Sequence, residues 1–187
     1  MLTRRTAARL AIAAAVCPGF TAPPAAAQTP GSAAALLDAA EVHASAGRRS
    51  IFAIFHASWC GWCHQLDSFI ESAPIKPIID KYFVIVHFRV LEQSGSKEAN
   101  TPGADALLLR LGGSDLIPFL AFLDSNGKLI VNSIRPADPD GKHGGGIGHP
   151  FEPWEVDWFL KMLRDAAPRM TAEELETIEK PLRLQKH

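Results

Sequence analysis

Ile51-Phe52-Ala53-Ile54-Phe55, followed closely by Trp59-Cys60-Gly61-Trp62-Cys63-His64, decides how the rest of the chain is read. The first five residues are an unbroken apolar run of strand length, which fits a buried strand. From Gly61 onward Trp62, Leu66 and Phe69 or Ile70 return at helical spacing. Cys60 therefore stands where a strand gives way to a helix. Two cysteines three apart at such a turn can close a small disulfide and reopen it. The chain has three cysteines, and the third, Cys17, lies in a segment expected to be removed. A pair holding the remaining thiols reads as a pair in use rather than a staple, an inert structural disulfide being the plain alternative.

Residues 1–27 have the layout of a secretory signal peptide: Arg4, Arg5 and Arg9, an apolar core from Leu10 to Val16, and Ala25-Ala26-Ala27 as a cleavage site. That core is too short to span a bilayer. The Arg4-Arg5 pair hints at twin-arginine export, but Thr6, Ala7 and Ala8 follow it where a bulky apolar residue is usual. Residues 28–187 are then expected to form one domain with a short C-terminal helical extension. The whole chain has 19 Lys+Arg against 20 Asp+Glu, and the signal holds three of the arginines and no acid. The remaining, mildly acidic chain lacks the basic footprint of a nucleic-acid binder. Export, to a periplasm, is the expected location, where disulfides persist.

Outward from the cysteines the pattern continues. Ser32 to Ala46 reads as an alanine-rich helix stopped by Gly47. Pro74 and Pro77 break the helix that begins at Gly61 and restart it. Phe83 to Val90 reads as a central strand around His87 and Arg89. Glu92 to Asn100 is a polar loop, and Thr101-Pro102 starts a helix that runs to Leu111. Phe119 to Leu123 and Lys128 to Ile134 are strands joined by Asp124-Ser125-Asn126-Gly127, a hairpin signal. Arg135 to Glu152 reads as a loop, Trp154 to Ala166 as an amphipathic helix, and Thr171-x-x-Glu174 as the capping box of a final helix. The order implies a mixed α/β domain.

This order, with Trp59-Cys60-Gly61-Trp62-Cys63 and Ile117-Pro118, resembles the thioredoxin family over about residues 33–164. The break near Pro74 is similar to secreted members, such as the C-terminal domain of the membrane disulfide-reducing transporter. The resemblance implies a thioredoxin fold, a central mixed sheet with helices on both faces. It also implies a cis proline, Pro118, facing the cysteines, and a thiol–disulfide oxidoreductase, a reductase or isomerase-like enzyme. Thioredoxin carries a buried aspartate six residues before its first cysteine, and here Ile54 stands there. His56, His64 and His87 are candidate substitutes for its proton handling.

A helix N-terminus lowers a thiol's pKa, so Cys60 is the expected nucleophile and Cys63, one turn on, the resolving cysteine. Gly61 would permit close approach. Trp59 and Trp62 would form an apolar rim, His64 would tune the redox poise, and the Ile117 backbone would be left free to pair with an extended substrate beside Pro118. No cofactor and no metal site is expected. The expected partners are cysteine-containing exported proteins and a membrane or soluble redox partner. Two other readings stay open: a binding module for metal or client without turnover, and a c-type haem protein, because Cys60 to His64 also matches CxxCH. His143 and His149 are read as belonging to a surface loop, and His87 as packing within its strand.

Overall fold

A computed structural model describes residues 31–95 and 99–185; the signal-peptide expectation and Cys17 lie outside them. Its elements run α1 (Ala33–Gly47), β1 (Ser50–His56), α2 (Gly61–Ile70), α3 (Lys76–Tyr82), β2 (Phe83–Arg89), α4 (Ala104–Arg110), β3 (Phe119–Leu123), β4 (Leu129–Asn132), β5 (Ile134–Arg135), β6 (Gly145–Gly146), α5 (Pro153–Ala166) and α6 (Ala172–Arg183).

The main sheet has the order β2-β1-β3-β4. β1 pairs parallel with β2 and antiparallel with β3, which turns back into β4. The β3–β4 turn closes because Asp124 Oδ1 accepts the Asn126 and Lys128 N–H groups at 2.8 and 3.0 Å, and Gly127 takes φ +72°.

β1 is apolar from Ile51 to Phe55 because both of its faces are covered there. Phe52 and Ile54 pack with Leu120 and Phe122 against α2, α3, α5 and α6. Ile51, Ala53 and Phe55 pack with Phe119 and Ala121 against α1 and α4. Helices therefore cover both faces of a mixed sheet, as the resemblance implied. Phe52 and Phe122 stack with ring centroids 4.4 Å apart at the centre of the first layer.

Several expectations need correction. β2 is an edge strand, not a central one, so His87 and Arg89 are exposed along it. Gly47 still belongs to α1, and the left-handed residue that ends the helix is Arg48, at φ 52°. The strand expected through Ile134 breaks at Ser133, whose Oγ accepts the Leu120 N–H at 3.0 Å; the chain then pairs β5 with β6 inside the region read as a loop. The final helix is no mere appendage, since Ile178 and Leu182 are buried in the main core. Among the described residues no helix is long and apolar enough to cross a membrane.

Candidate active site

Cys60 caps the N-terminus of α2 with extended backbone, φ −83° and ψ 105°. Its Sγ accepts the Cys63 N–H at 3.2 Å. The two cysteines are joined as a disulfide with Cα atoms 5.2 Å apart. The cap explains why the motif sits here: the first turn of a helix leaves N–H groups without partners, and a cap atom that can carry negative charge satisfies one of them. Cys60 is 5% exposed and Cys63 1%, so both are buried, the second more completely.

Across from α2 the Ile117–Pro118 peptide bond is cis. The Ile117 carbonyl oxygen lies 3.7 Å from Cys60 Sγ. Ile117 also packs against the small cluster of Ala57, Cys60 and Cys63. Trp59 and Trp62 are about half exposed on either side of the cysteine. Trp59 is held by its indole N–H donating to the Leu91 carbonyl at 2.9 Å. A Cβ on Gly61 would meet nothing within 4 Å, so that side of the helix start is open to an approaching chain.

His64 turns back from the helix, its Nε2 2.9 Å from the Ser58 carbonyl. Because a carbonyl only accepts, Nε2 carries the proton in that contact. Ser58 is anchored in turn by Glu92, which accepts its N–H and its hydroxyl, both at 2.7 Å. With Cys60 and Cys63 joined to each other, neither sulfur is free to form a haem thioether in this state.

The segment after β6 is the part of the site that the sequence hides. It was expected as a surface loop, yet Ile147 is buried and its N–H donates to the Ser133 carbonyl at 2.8 Å. A Cβ on Gly148 would come within 3.1 Å of Pro118 Cδ, so the backbone lies against the cis proline. His149 is 7% exposed and nearly parallel to Trp62, with ring centroids 6.3 Å apart. Its Nε2 faces Gln185 Oε1 at 3.1 Å, and burial lowers its pKa below the usual histidine range. His143, by contrast, stays at the surface beside Asp138. A cavity of about 320 Å³ opens between Trp62, Ile117, Pro118, Gly148, His149 and Phe151. The one sequence signal for this wall was Gly148-His149-Pro150, a glycine where a side chain would strike the proline.

On the α2 face of the sheet, His56 and His87 meet edge to face with centroids 5.0 Å apart. Burial, and then His87, lower the His56 pKa. Ile54, in the place of the family's aspartate, is fully buried.

A model of the thioredoxin-like domain matches residues 37–138. No curated protein matches the chain. Among solved structures it is similar to the disulphide isomerase of Xylella fastidiosa Temecula1, at 20% identity over 60% of this chain and 79% of that one, with TM-score 0.46. It is also similar to the DsbH oxidoreductase, at 21% identity over 81% and 92%, TM-score 0.47. The oxidised C-terminal domain of DsbD from Neisseria meningitidis matches at 18% identity over 71% and 97%, TM-score 0.43.

Proposed function

Because the chain belongs to the thioredoxin-like domain family, we propose that it is an exported, periplasmic thiol–disulfide oxidoreductase that exchanges electrons with cysteines of other exported proteins. The observation that carries this reading is the placement of the Cys60–Cys63 disulfide at a helix N-cap and against the cis Ile117–Pro118 bond, with Trp62, Ile117 and Pro118 lining a cavity next to it.

In the reducing direction the Cys60 thiolate attacks one sulfur of a client disulfide. A mixed disulfide forms, and the client's other sulfur leaves as thiolate and takes up a proton. The Cys63 thiolate then attacks Cys60 Sγ, closing the bond seen in the structure and releasing the client's second thiol. Two electrons pass to the client, and a redox partner at the membrane or in solution restores the dithiol. In the oxidising direction every step reverses. The Cys63 N–H and the α2 dipole stabilise the Cys60 thiolate, while Trp59 and Trp62 supply an apolar rim. His64, one residue past Cys63, is the candidate for tuning the redox poise of the pair. The Ile117 backbone beside Pro118 would pair with an extended client.

The test is catalysed reduction of insulin by dithiothreitol. The protein is expected to hasten precipitation, Cys60→Ser to abolish the effect, and Cys63→Ala to accumulate a mixed disulfide that resists alkylation. Precipitation no faster than in the blank, with the pair intact, would overturn the proposal and leave a binding module. The equilibrium of the Cys60–Cys63 pair with glutathione then gives its potential and the direction of flow; His64→Ala is expected to shift that equilibrium.

A further inference from the structure

We infer that His56, Asp67 and His87 form a binding site for a single divalent transition cation of the zinc class, separate from the cysteine pair. Strand alternation sets two of the ligands. His56 follows Phe52 and Ile54 on the α2 face of β1, and His87 pairs in register with Ile54 on the neighbouring edge strand. Asp67 comes from α2, one turn beyond Cys63. One donor atom from each residue lies within 4.8 Å of the other two.

A plain histidine–aspartate ion pair does not account for the arrangement. Asp67 Oδ1 is buried and has no hydrogen-bond partner. It lies 3.9 Å from His87 Nδ1, beyond hydrogen-bond reach. A desolvated carboxylate oxygen left without a donor is costly, and a cation held between the three side chains would satisfy it. Ligands about 2.0–2.1 Å from a tetrahedral zinc lie about 3.3 Å from one another, so a shift of about 1 Å in side chains that are partly exposed would close the site. The His87 and Asp67 side chains are 37% and 30% exposed, which leaves a path for entry. Two imidazoles and one carboxylate suit zinc, or cobalt and nickel, rather than calcium or magnesium, and three protein ligands leave a fourth position for water. No ligand-spacing motif marks the site, because residues 56, 67 and 87 lie on three separate elements.

The experiment keeps the cysteines out of play. Protein with the Cys60–Cys63 disulfide closed, and separately the Cys60→Ser/Cys63→Ser variant, is titrated with Co²⁺ and with Zn²⁺ against a chromogenic chelator. One equivalent is expected to bind both proteins, with visible ligand-field bands for Co²⁺ and a Zn²⁺-dependent rise in melting temperature. His56→Ala, Asp67→Asn and His87→Gln are each expected to weaken binding by at least tenfold and to abolish that rise. His43→Ala, on the exposed side of α1, is expected to leave both unchanged. His87→Gln sits on an exposed edge position, so its melt without metal separates a lost ligand from a lost fold. Absence of binding to the oxidised protein, affinity unaltered by all three substitutions, or loss of binding on His143→Ala instead would overturn the site. None of these outcomes bears on the thiol chemistry.

Discussion

At the scale of single residues, the site depends on where backbone is allowed to come close. Gly148 lies against Pro118 because it has no side chain, and a Cβ there would sit 3.1 Å from Pro118 Cδ. Gly148→Val would push branched carbons into the cavity beside Trp62 and Pro118. KM for a protein disulfide is expected to rise several-fold, while the alkylation rate of reduced Cys60 stays as it was. Equal loss in both would mean that the substitution had disturbed the helix cap instead. His149 lends itself to a pH measurement. Its folded-state pKa is lowered from 6.5 by burial, so the unfolded chain takes up a proton that the folded protein refuses. Stability is then expected to be full above about pH 6.5 and to decline as pH falls below it. Replacing His149 with Gln is expected to flatten that decline in urea melts run between about pH 7 and pH 5, leaving the share due to His56, whose pKa is also lowered.

Among the elements, α6 is fixed by its first turn. Thr171 Oγ1 accepts the Glu174 N–H at 3.2 Å, and Glu174 Oε2 accepts the Thr171 N–H at 2.9 Å. Glu174 also pairs with Lys81 at 2.6 Å and accepts the Tyr82 hydroxyl at 2.7 Å, joining α6 to α3. The Lys81 contact is the leading cause that holds the Glu174 carboxyl down at about 2. Its stabilisation is present above the unfolded value of 4.5 and is lost as pH falls from there toward about 2. Glu174→Gln is expected to remove that acid-limb slope, and Thr171→Ala to cost about 0.5–2 kcal/mol in urea melts near neutrality. A Thr171→Ala protein as stable as its parent would show that the box does not hold the helix. This capping box was legible from Thr171-x-x-Glu174 alone because its geometry is local. So were β1, the break at Pro74 and Pro77, and the Cys60 cap, each set by residues within a few positions. The edge position of β2 was not legible: Phe83 to Val86 opens as apolar as a central strand, and only the return of β3 on the other side of β1 decides the order. The His149 wall failed for a similar reason, since a segment rich in glycine reads as loop until Trp62 and Pro118 are brought under it.

Over the whole molecule, one core spans both halves of the chain, and this makes the C-terminal helix a part of the fold. Ile178 and Leu182 are 0% and 1% exposed, inside the layer that holds Phe52, Phe122 and the inner face of α5. Arg183 adds a bond to the Pro153 carbonyl at 2.9 Å, and Gln185 reaches His149 at the candidate site. Burying two such aliphatic side chains contributes about 3–6 kcal/mol, a large part of the roughly 5–15 kcal/mol that holds a domain of this size together. A chain ending at Met170 is therefore expected to unfold at a much lower urea concentration than the full chain. Its His149 would lose the Gln185 partner, and the wall beside Trp62 would loosen with it. The cysteines are held by α2, β1 and the Ile117–Pro118 turn, all outside α6, so whatever fraction stays folded should still close the Cys60–Cys63 bond. Urea midpoints for the two lengths, with free-thiol counts taken under native conditions, decide the matter: equal midpoints would mean that α6 merely rests on a core complete without it.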